Sequence, residues 1–516
     1  MLSRHFTSAR RLTVMLILAA FAMGLTGCGN AELTERYRAE RMAWQVRTLE
    51  RAMSENAEIA TDEMIARVMD GHREIIDRFP PPETIDETTL PEIVDVAKIS
   101  AASRLALASM LVARATPETA EASVGESIEL LESVRDRYSF DRNLAIDAGL
   151  RLASVRELTG DFSGAIDEMG DLLDRWGPAM DAEGDAPDVR ILRLPLRRAT
   201  SYAVRGMSDQ AVRVFGEASE TYATWSETWS GTRTGEAALR MNADTYSAQA
   251  RWADAVAVYR KLDETYGNDD NRPSIWLSLA EIHGSRLGDR ATSRSYYERV
   301  SESYGETTAG ATADVALALM DISDGRHEAA RERLSMVVER FGDEEAIAAT
   351  AKQHRAASYE LEGRWDSAVA EYSALAAEFP TTMYGLAAPL RIVDMYGEIG
   401  ETEAGVTALD DAAQVYARVI RDYGGTPAEM AARNYMIETR LRQESWGDAA
   451  ALLSETAAQF PDAQAAAGML LQAADIYREE LDRPELAREL LQAVVERYPE
   501  HDGVDRAREI LDSMTE

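Results

Sequence analysis

Residues 350–381 read TAKQHRAASYELEGRWDSAVAEYSALAAEFPT, and their second half carries a pattern that recurs along most of the chain. Ala368 is followed at offsets of four, seven and eleven residues by Tyr372, Leu375 and Phe379. Because an α-helix has 3.6 residues per turn, these offsets place all four side chains on one stripe of a helix. A stripe of one small and three large apolar residues predicts a helix packed closely against a neighbour.

The first half of the same stretch predicts another helix, which ends before this one begins. Ala356 and Tyr359 lie three residues apart on one helix face, and Gly363 follows where a helix commonly ends with a residue of positive φ. Pro380 comes directly after Phe379 and stops the second helix, because proline lacks a backbone N–H. The stretch therefore predicts one helical hairpin.

The pattern of the second helix occurs ten times along the chain. Its small residue is Ser127, Ala165, Ala211, Ala255, Ser293, Ala330, Ala368, Ala412, Ala449 and Ala487. Its closing aromatic residue is Tyr138, Trp176, Tyr222, Tyr266, Tyr304, Phe341, Phe379, Tyr423, Phe460 and Tyr498. Successive closing aromatics are 37 to 46 residues apart, which is enough for two helices and two turns. Each repeat is therefore predicted to be one helical hairpin.

Turn residues recur at matching places in the repeats. Glycine precedes the second helix in five units, and proline follows the closing aromatic in three: Gly160, Gly206, Gly288, Gly325, Gly363; Pro380, Pro461, Pro499. Together with the small-plus-aromatic first helix, these features resemble the tetratricopeptide repeat (TPR). The resemblance implies an all-α fold, an α-solenoid of about ten to eleven TPR-like helical hairpins forming a superhelix. It also implies that the chain binds segments of other proteins.

The N-terminus resembles that of a bacterial lipoprotein. Three arginines and a short apolar run precede Leu25-Thr26-Gly27-Cys28, the layout of a secretory signal that ends in a lipobox. The resemblance implies that Cys28, which is the single cysteine of the chain, is the lipid-attachment residue. Gly29 stands where an aspartate would favour retention in the inner membrane of enteric-type bacteria, so we expect an outer-membrane anchor facing the periplasm. No later apolar run is expected to span a membrane, which leaves the N-terminal lipid as the membrane contact.

Composition and pattern predict five segments. These are a signal peptide (1–27), a lipidated N-terminus (28–30), an N-terminal helical capping region (31–116) with a Pro-rich linker near 80–91, the TPR-like repeats (117–500) and a C-terminal capping helix (501–516). The formal net charge of −35 disfavours nucleic acid as a partner, because phosphate binding needs clustered Lys and Arg.

The sequence predicts no catalytic residue, no metal site, no cofactor and no small-molecule substrate. No two histidines have the i, i+4 spacing of a helical metal site, and no GxxxxGK or GxSxG motif occurs after the signal segment. The acidic stretches 181–188 and 268–271 could bind Ca²⁺, but solvated turns are the preferred interpretation. Arg442 to Ser445 resembles the catalytic Glu-Ser stretch of lytic transglycosylases, which would make Glu444 a general acid. However, the following residues fit the repeat instead.

Two sets of residues are candidates for binding protein partners. Alignment of the first helices places a polar set on the face that TPR proteins use for peptides: Arg240, Asp244, Gln353, Asn434 and Glu438. A basic cluster stands out in the acidic chain and could bind an acidic partner or pair with neighbouring repeats: Arg190, Arg193, Arg197 and Arg198.

The sequence thus predicts a non-enzymatic scaffold, lipid-anchored in the bacterial cell envelope, whose partners are other envelope proteins or their peptide segments. A lipobox followed by repeats ending in aromatic-Pro resembles outer-membrane barrel-assembly accessory lipoproteins and the cell-division coordinator family, so outer-membrane or envelope assembly is the expected process. An adaptor for exopolysaccharide or peptidoglycan machinery, or a lytic-transglycosylase-like enzyme, remain alternatives.

Overall fold

The computed structural model describes residues 34–55, 62–81, 84–85, 88–116, 119–177, 189–460, 465–499 and 501–514. Throughout these residues the chain consists of α-helices joined by turns, without a β-strand. The expected all-α fold of stacked helical hairpins is confirmed. The predicted signal peptide, Cys28 and the acidic stretch 181–188 lie outside the described residues.

The chain forms two compact units, the first ending at Tyr266 and the second beginning at Gly267. The helices of unit 1 are α1 (Glu35–Glu55), α2 (Asp62–Arg78), α3 (Pro91–Ala113), α4 (Ala120–Arg137), α5 (Arg142–Leu158), α6 (Phe162–Trp176), α7 (Val189–Leu192), α8 (Leu194–Val204), α9 (Ser208–Thr228), α10 (Arg233–Ala248) and α11 (Trp252–Tyr266).

Unit 2 continues the same alternation of helices. It contains α12 (Arg272–Glu281), which runs on into one π-helical turn (Ile282–Arg286), then α13 (Arg290–Tyr304), α14 (Thr308–Ser323), α15 (His327–Arg340), α16 (Glu345–Leu361), α17 (Trp365–Glu378), α18 (Met383–Ile399), α19 (Thr402–Asp422), α20 (Pro427–Arg442), α21 (Trp446–Gln459), α22 (Ala466–Glu479), α23 (Pro484–Arg497) and α24 (Val504–Ser513).

Helices pack as hairpins in chain order. In unit 1 the pairs are α3 with α4, α5 with α6, α8 with α9, and α10 with α11, while α1 packs against both α2 and α3. In unit 2 the pairs run from α12 with α13 to α22 with α23, and α24 packs against α23. The second helix of each pair carries the repeated pattern. Its small residue is buried, because the partner helix comes too close for a larger side chain.

Large side chains of the stripe fill the space between hairpins. Tyr138, Tyr222, Tyr372 and Tyr416 are the largest fully buried side chains in the described part of the chain. Each belongs to the repeated pattern, as a closing aromatic or as the residue four after the small one. Burial of such rings supplies much of the packing free energy of a helical stack.

The turn between the two helices of a hairpin has one defining backbone conformation. The five predicted glycines all have positive φ, between 69° and 80°. Three other units have a residue with a side chain at the same place, five before the small residue: Ala250 (φ 55°), Glu444 (φ 53°) and Asp482 (φ 50°). The left-handed conformation costs an L-residue roughly 1–2 kcal/mol, so these units tolerate local strain.

The turn that leads into the next hairpin is formed by a helix cap. Thr232, Thr307 and Thr382 each cap a first helix, accepting a hydrogen bond from the amide of a glycine three residues later. Each threonine hydroxyl also donates to the carbonyl oxygen of an aromatic residue three positions earlier. At Gly385 an added Cβ would lie 1.9 Å from the carbonyl oxygen of Phe379, so only glycine fits there.

One described helix, α3, is long and apolar enough to cross a membrane by length and composition alone. In length and composition α3 thus passes a test that the sequence analysis expected no later segment to pass, whereas the expectation that no later run spans a membrane stays a prediction. Half of its apolar window is buried inside the protein, where Ala101, Leu105 and Ala108 pack against α4 and α5.

Candidate functional site

Successive first helices lie side by side within each unit. In unit 1, α3 contacts α5 and α8 contacts α10; in unit 2, α12, α14, α16, α18 and α20 are neighbours in that order. We call the surface that these helices present in each unit the first-helix face. It is where the structure brings together polar side chains from different repeats.

The first-helix face of unit 1 contains a cavity of about 630 Å³ between α3, α4, α5 and the α7–α8 segment. Its apolar lining includes Val112, Leu131, Leu150 and Leu194. Four arginines also line it: Arg151, Arg190, Arg193 and Arg197. We call this cavity, together with the one described next, the arginine groove.

A neighbouring cavity of about 640 Å³ extends across α8 towards α10. Arg193 and Arg197 line both cavities, so the two share one wall. The second cavity adds the apolar side chains of Phe162, Val204 and Met241. Val204 is 80% exposed.

The arginines of the groove differ in how far their charge is compensated. Arg151 is 3.0 Å from a carboxylate oxygen of Asp147 and donates to Ser109 Oγ. Arg197 is 2.5 Å from Glu157 and also donates to Ser154 Oγ.

Arg190 lies in α7, and Arg193 stands at the break between α7 and α8. Arg190 donates to the Asn143 side chain at 3.0 Å. Arg193 is exposed and, among the described residues, its guanidinium makes no hydrogen bond or ion pair, while its backbone carbonyl accepts from the amide of Arg197. The groove thus combines compensated arginines with one whose guanidinium is available.

A buried tyrosine holds the break between α7 and α8 in place. The Tyr222 hydroxyl donates to the carbonyl oxygen of Leu192 at 2.7 Å and accepts from the amide of Leu196 at 3.1 Å. The phenol therefore replaces the helical hydrogen bond that these two backbone groups would otherwise make with each other. Pro195, at the start of α8, lacks the N–H that would continue the helix through this point. Burial raises the pKa of Tyr222, which keeps the phenol a donor.

The structure divides the predicted basic cluster. Arg190, Arg193 and Arg197 are spaced three and four residues apart and face the arginine groove. Arg198 is one position further and instead lines a different cavity, formed with Gly170, Trp225 and other residues of α6 and α9.

The predicted polar set of unit 1 lies on α10. Arg240 is 3.7 Å from Glu236 of the same helix. Asp244 accepts a hydrogen bond from the Tyr259 hydroxyl at 3.0 Å, and burial raises the pKa of its carboxyl group. Asp244 is therefore tied to the second helix of its own hairpin.

The predicted polar set of unit 2 lies on α16 and α20. Gln353 is half-buried and Asn434 is exposed. Glu438 is engaged with Arg442 at 2.6 Å, and Arg442 reaches across to Asp394 on α18 at 2.5 Å. The structure does not gather these residues around one cavity.

Arginines of unit 2 are matched by carboxylates of neighbouring first helices. Arg391 on α18 pairs with Glu360 on α16 and with Glu398 of its own helix at 2.9 Å. Glu360 also accepts from the Tyr372 hydroxyl at 2.9 Å. Together with Asp394–Arg442–Glu438, these contacts form an ionic lattice between repeats. The sequence pattern does not reveal this lattice, because the partners come from hairpins some thirty to fifty residues apart.

Glu444 has a structural role at its position. It lies in the exposed turn between α20 and α21 with positive φ, at the place that glycine occupies in five other units. This location is a hairpin turn rather than a cavity, so it does not support the alternative in which Glu444 is a catalytic acid.

The second Ca²⁺ candidate is also explained by local structure. In residues 268–271, the Asn268 and Asn271 side chains accept hydrogen bonds from backbone amides of the turn. Asp269 accepts from the Tyr304 hydroxyl at 3.3 Å. In the described part of the chain, no three His, Cys, Asp or Glu side chains cluster as a metal site would require.

Residues 469–501 match the tetratricopeptide repeat family model. The matched segment covers most of α22, the following turn and α23, and so corresponds to one hairpin of the stack. No curated protein of known function matches the chain significantly. The tetratricopeptide-like character therefore rests on this match and on the helical hairpins themselves.

Solved helical proteins resemble the chain only loosely. They include the apo form of RapI (11% identity, covering 70% of this chain and 98% of that chain, TM-score 0.37) and yeast Tom70 (11% identity, 92% and 96%, TM-score 0.34). A tetratricopeptide repeat protein from Parabacteroides merdae is 12% identical over 58% of this chain and 98% of its own, with a TM-score of 0.31.

Proposed function

We propose that this chain is a lipid-anchored scaffold of the bacterial cell envelope, and that it binds segments of other envelope proteins on its first-helix faces. The observation that carries the proposal is the arginine groove of unit 1, a surface open to a ligand and built from several tetratricopeptide-like hairpins. Repeat stacks of this kind commonly use such surfaces for protein partners. Outer-membrane or envelope assembly is the process that we propose.

The proposed anchor is Cys28, preceded by Leu25-Thr26-Gly27 and followed by Gly29. Several acyl chains on one cysteine would hold the protein at a membrane stably, whereas one chain alone would bind marginally. The proposed address is the periplasmic face of the outer membrane.

Fractionation of cells tests the anchor. We expect Cys28→Ala to move the protein from the membrane fraction to the soluble fraction, because no acyl chain can be attached. Gly29→Asp is the matched variant: it keeps the cysteine and, in an enteric-type host, should shift the protein to the inner membrane on a density gradient. Continued tight membrane association of Cys28→Ala would contradict the proposal.

In-cell crosslinking tests the scaffold role. The mature protein would be crosslinked in cells, extracted in detergent and captured by an affinity tag, and its partners would be identified by mass spectrometry. Barrel-assembly components would support an assembly role, whereas polysaccharide or cell-wall enzymes would support an adaptor role instead. Absence of any crosslinked protein would contradict the scaffold proposal.

The enzyme alternative needs a separate measurement. If the wild-type protein cleaved peptidoglycan and Glu444→Gln abolished cleavage, the scaffold assignment would fail. Because Glu444 lies in an exposed hairpin turn, we expect no cleavage by either protein.

A further inference from the structure

We infer that the arginine groove of unit 1 binds an acidic peptide segment whose carboxylates alternate with apolar side chains. This inference rests on the proposed scaffold function and narrows it, because it names both the surface and the chemistry of the partner. It depends on three features of the groove: its charge, its apolar lining and its backbone support.

The groove is lined by basic side chains, although the chain as a whole is acidic. The protein has 90 acidic residues and 55 basic ones, yet four arginines line this one cavity. Asp147 and Glu157 compensate Arg151 and Arg197, respectively. Arg193 has no such partner among the described residues and is exposed at the wall shared by both cavities. A guanidinium in this position favours a carboxylate, which it can bind through two parallel hydrogen bonds.

The apolar lining favours a peptide over a uniformly charged polymer. Val112 and Leu150 are half-buried on one side of Arg193, and Val204 is exposed on the other. Covering these side chains removes apolar surface from water, which a ligand carrying only charged groups cannot do. A segment with acidic and apolar side chains satisfies both kinds of contact.

The backbone support makes the groove a preformed surface. Tyr222 fixes the break between α7 and α8 by bonding to Leu192 and Leu196. Arg193 is the residue at that break, between the end of α7 and the start of α8. Its backbone is therefore ordered before any ligand arrives, which lowers the entropic cost of binding.

Fluorescence anisotropy with a defined probe tests the inference. The probe is a fluorescein-labelled synthetic peptide of roughly ten residues, long enough to extend about 33–36 Å, in which Glu alternates with Leu and Ser. The protein is the full mature chain. Matched peptides replace every Glu by Gln or every Leu by Ser, so that charge and apolar contact are tested separately. We expect both replacements to weaken binding.

Two variants and one control locate the binding site. Arg193→Glu should weaken binding of the acidic probe by about tenfold, because it replaces an attraction by a repulsion. Val204→Asp should weaken it by a smaller factor. Both residues are exposed, so the fold should not change, which circular dichroism would verify. Arg213→Glu makes the same charge change on the exposed side of α9, outside the groove, and should leave binding unchanged.

The following results would overturn the inference. Equal binding of the Gln peptide would remove the acidic requirement, and equal weakening by Arg213→Glu would show a non-specific charge effect. Tighter binding of polygalacturonate than of the peptide, lost in Arg193→Glu, would assign the groove to an anionic polysaccharide. If Arg193→Glu retained the partners crosslinked in cells while the wild-type protein failed to bind the acidic probe, this inference would fail and the scaffold proposal would stand.

Discussion

The first-helix faces of the two units are built from the same kind of helix but treat their arginines differently. In unit 2, Arg391 and Arg442 each bridge two carboxylates and connect neighbouring hairpins. In unit 1, the arginines line a groove, and Arg193 has no partner among the described residues. The repeated stripe therefore determines how the hairpins stack. Residues outside the stripe determine whether the arginines of a face pair with carboxylates of the protein itself or remain available to a ligand.

The largest expected effect concerns the tyrosine hydroxyls that support the two faces. Tyr222→Phe should destabilise the α7–α8 segment by about 2–3 kcal/mol, because the buried carbonyl of Leu192 and the half-buried amide of Leu196 both lose their partner at the helix break. In unit 2, the Tyr416 hydroxyl likewise donates to the carbonyl oxygen of Leu386 and accepts from the amide of Leu390, but α18 runs through this point as one helix despite Pro389. Because these backbone groups keep helical geometry without the phenol, Tyr416→Phe should cost only about 1 kcal/mol.

Hydrogen–deuterium exchange measures the loss of local stability in each variant separately. It suits a chain of two units better than a global unfolding curve, because such a curve assumes a single two-state transition. Peptides covering residues 189–204 should lose protection in Tyr222→Phe, and those covering 383–399 should lose less in Tyr416→Phe. Equal losses would show that the hydroxyl of Tyr222 does not bridge the helix break.

A smaller difference in stability is expected between a variant in the ionic lattice of unit 2 and a variant in the arginine groove of unit 1. Arg391→Gln should destabilise unit 2 by about 1 kcal/mol, because Glu360, only 15% exposed in its side chain, loses its charged partner. Arg193→Gln should change the stability of unit 1 by less than about 0.5 kcal/mol, because an exposed arginine without a partner contributes little. Denaturant midpoints, monitored together with exchange in each unit, provide the measurement. A greater loss for Arg193→Gln would mean that the groove is held by that arginine rather than open to a ligand.

The smallest effect concerns the hairpin turns, which the two faces share. Glu444→Gly and Ala250→Gly should each stabilise their hairpin by about 0.5 kcal/mol, since relief of the left-handed strain exceeds the added entropy of the unfolded chain. Gly363→Ala, at a turn that already has glycine, should destabilise by about 1 kcal/mol. Thermal unfolding compares the three variants. Destabilisation by Glu444→Gly would point to a role for its carboxylate beyond the turn.

Much of the fold could be predicted because the second helix of each hairpin repeats one buried stripe. The glycine turns were predictable for the same reason, whereas Ala250, Glu444 and Asp482 were not, since nothing in these residue types indicates positive φ. The threonine caps carry a readable signal, Thr followed three residues later by Gly, at residues 232–235, 307–310 and 382–385. This signal lies at the start of the first helices, outside the stripe of the second helices that reveals the repeat.

The candidate site was only partly predictable. The arginine cluster could be recognised in the sequence as a run of positive charge. Spacings of three and four residues place Arg190, Arg193 and Arg197 on one helix face and Arg198 on another. The ionic lattice of unit 2 and the cavities of unit 1 could not be found in this way, because they depend on side chains from hairpins that are distant in sequence. In the sequence Tyr222 does not differ from the other closing aromatics; only the structure shows its hydroxyl at the helix break.

The arginine groove lies in a chain with a net charge of −35, and this has a kinetic consequence. At low ionic strength, where the screening length grows to about 30 Å at 0.01 M salt, an approaching acidic ligand is repelled by the chain as a whole and meets the attraction of the arginines only at close range. Added salt should therefore speed encounter and shorten residence at the same time. Such a surface selects against acidic segments diffusing freely and favours those already held nearby, for example by attachment to the same membrane.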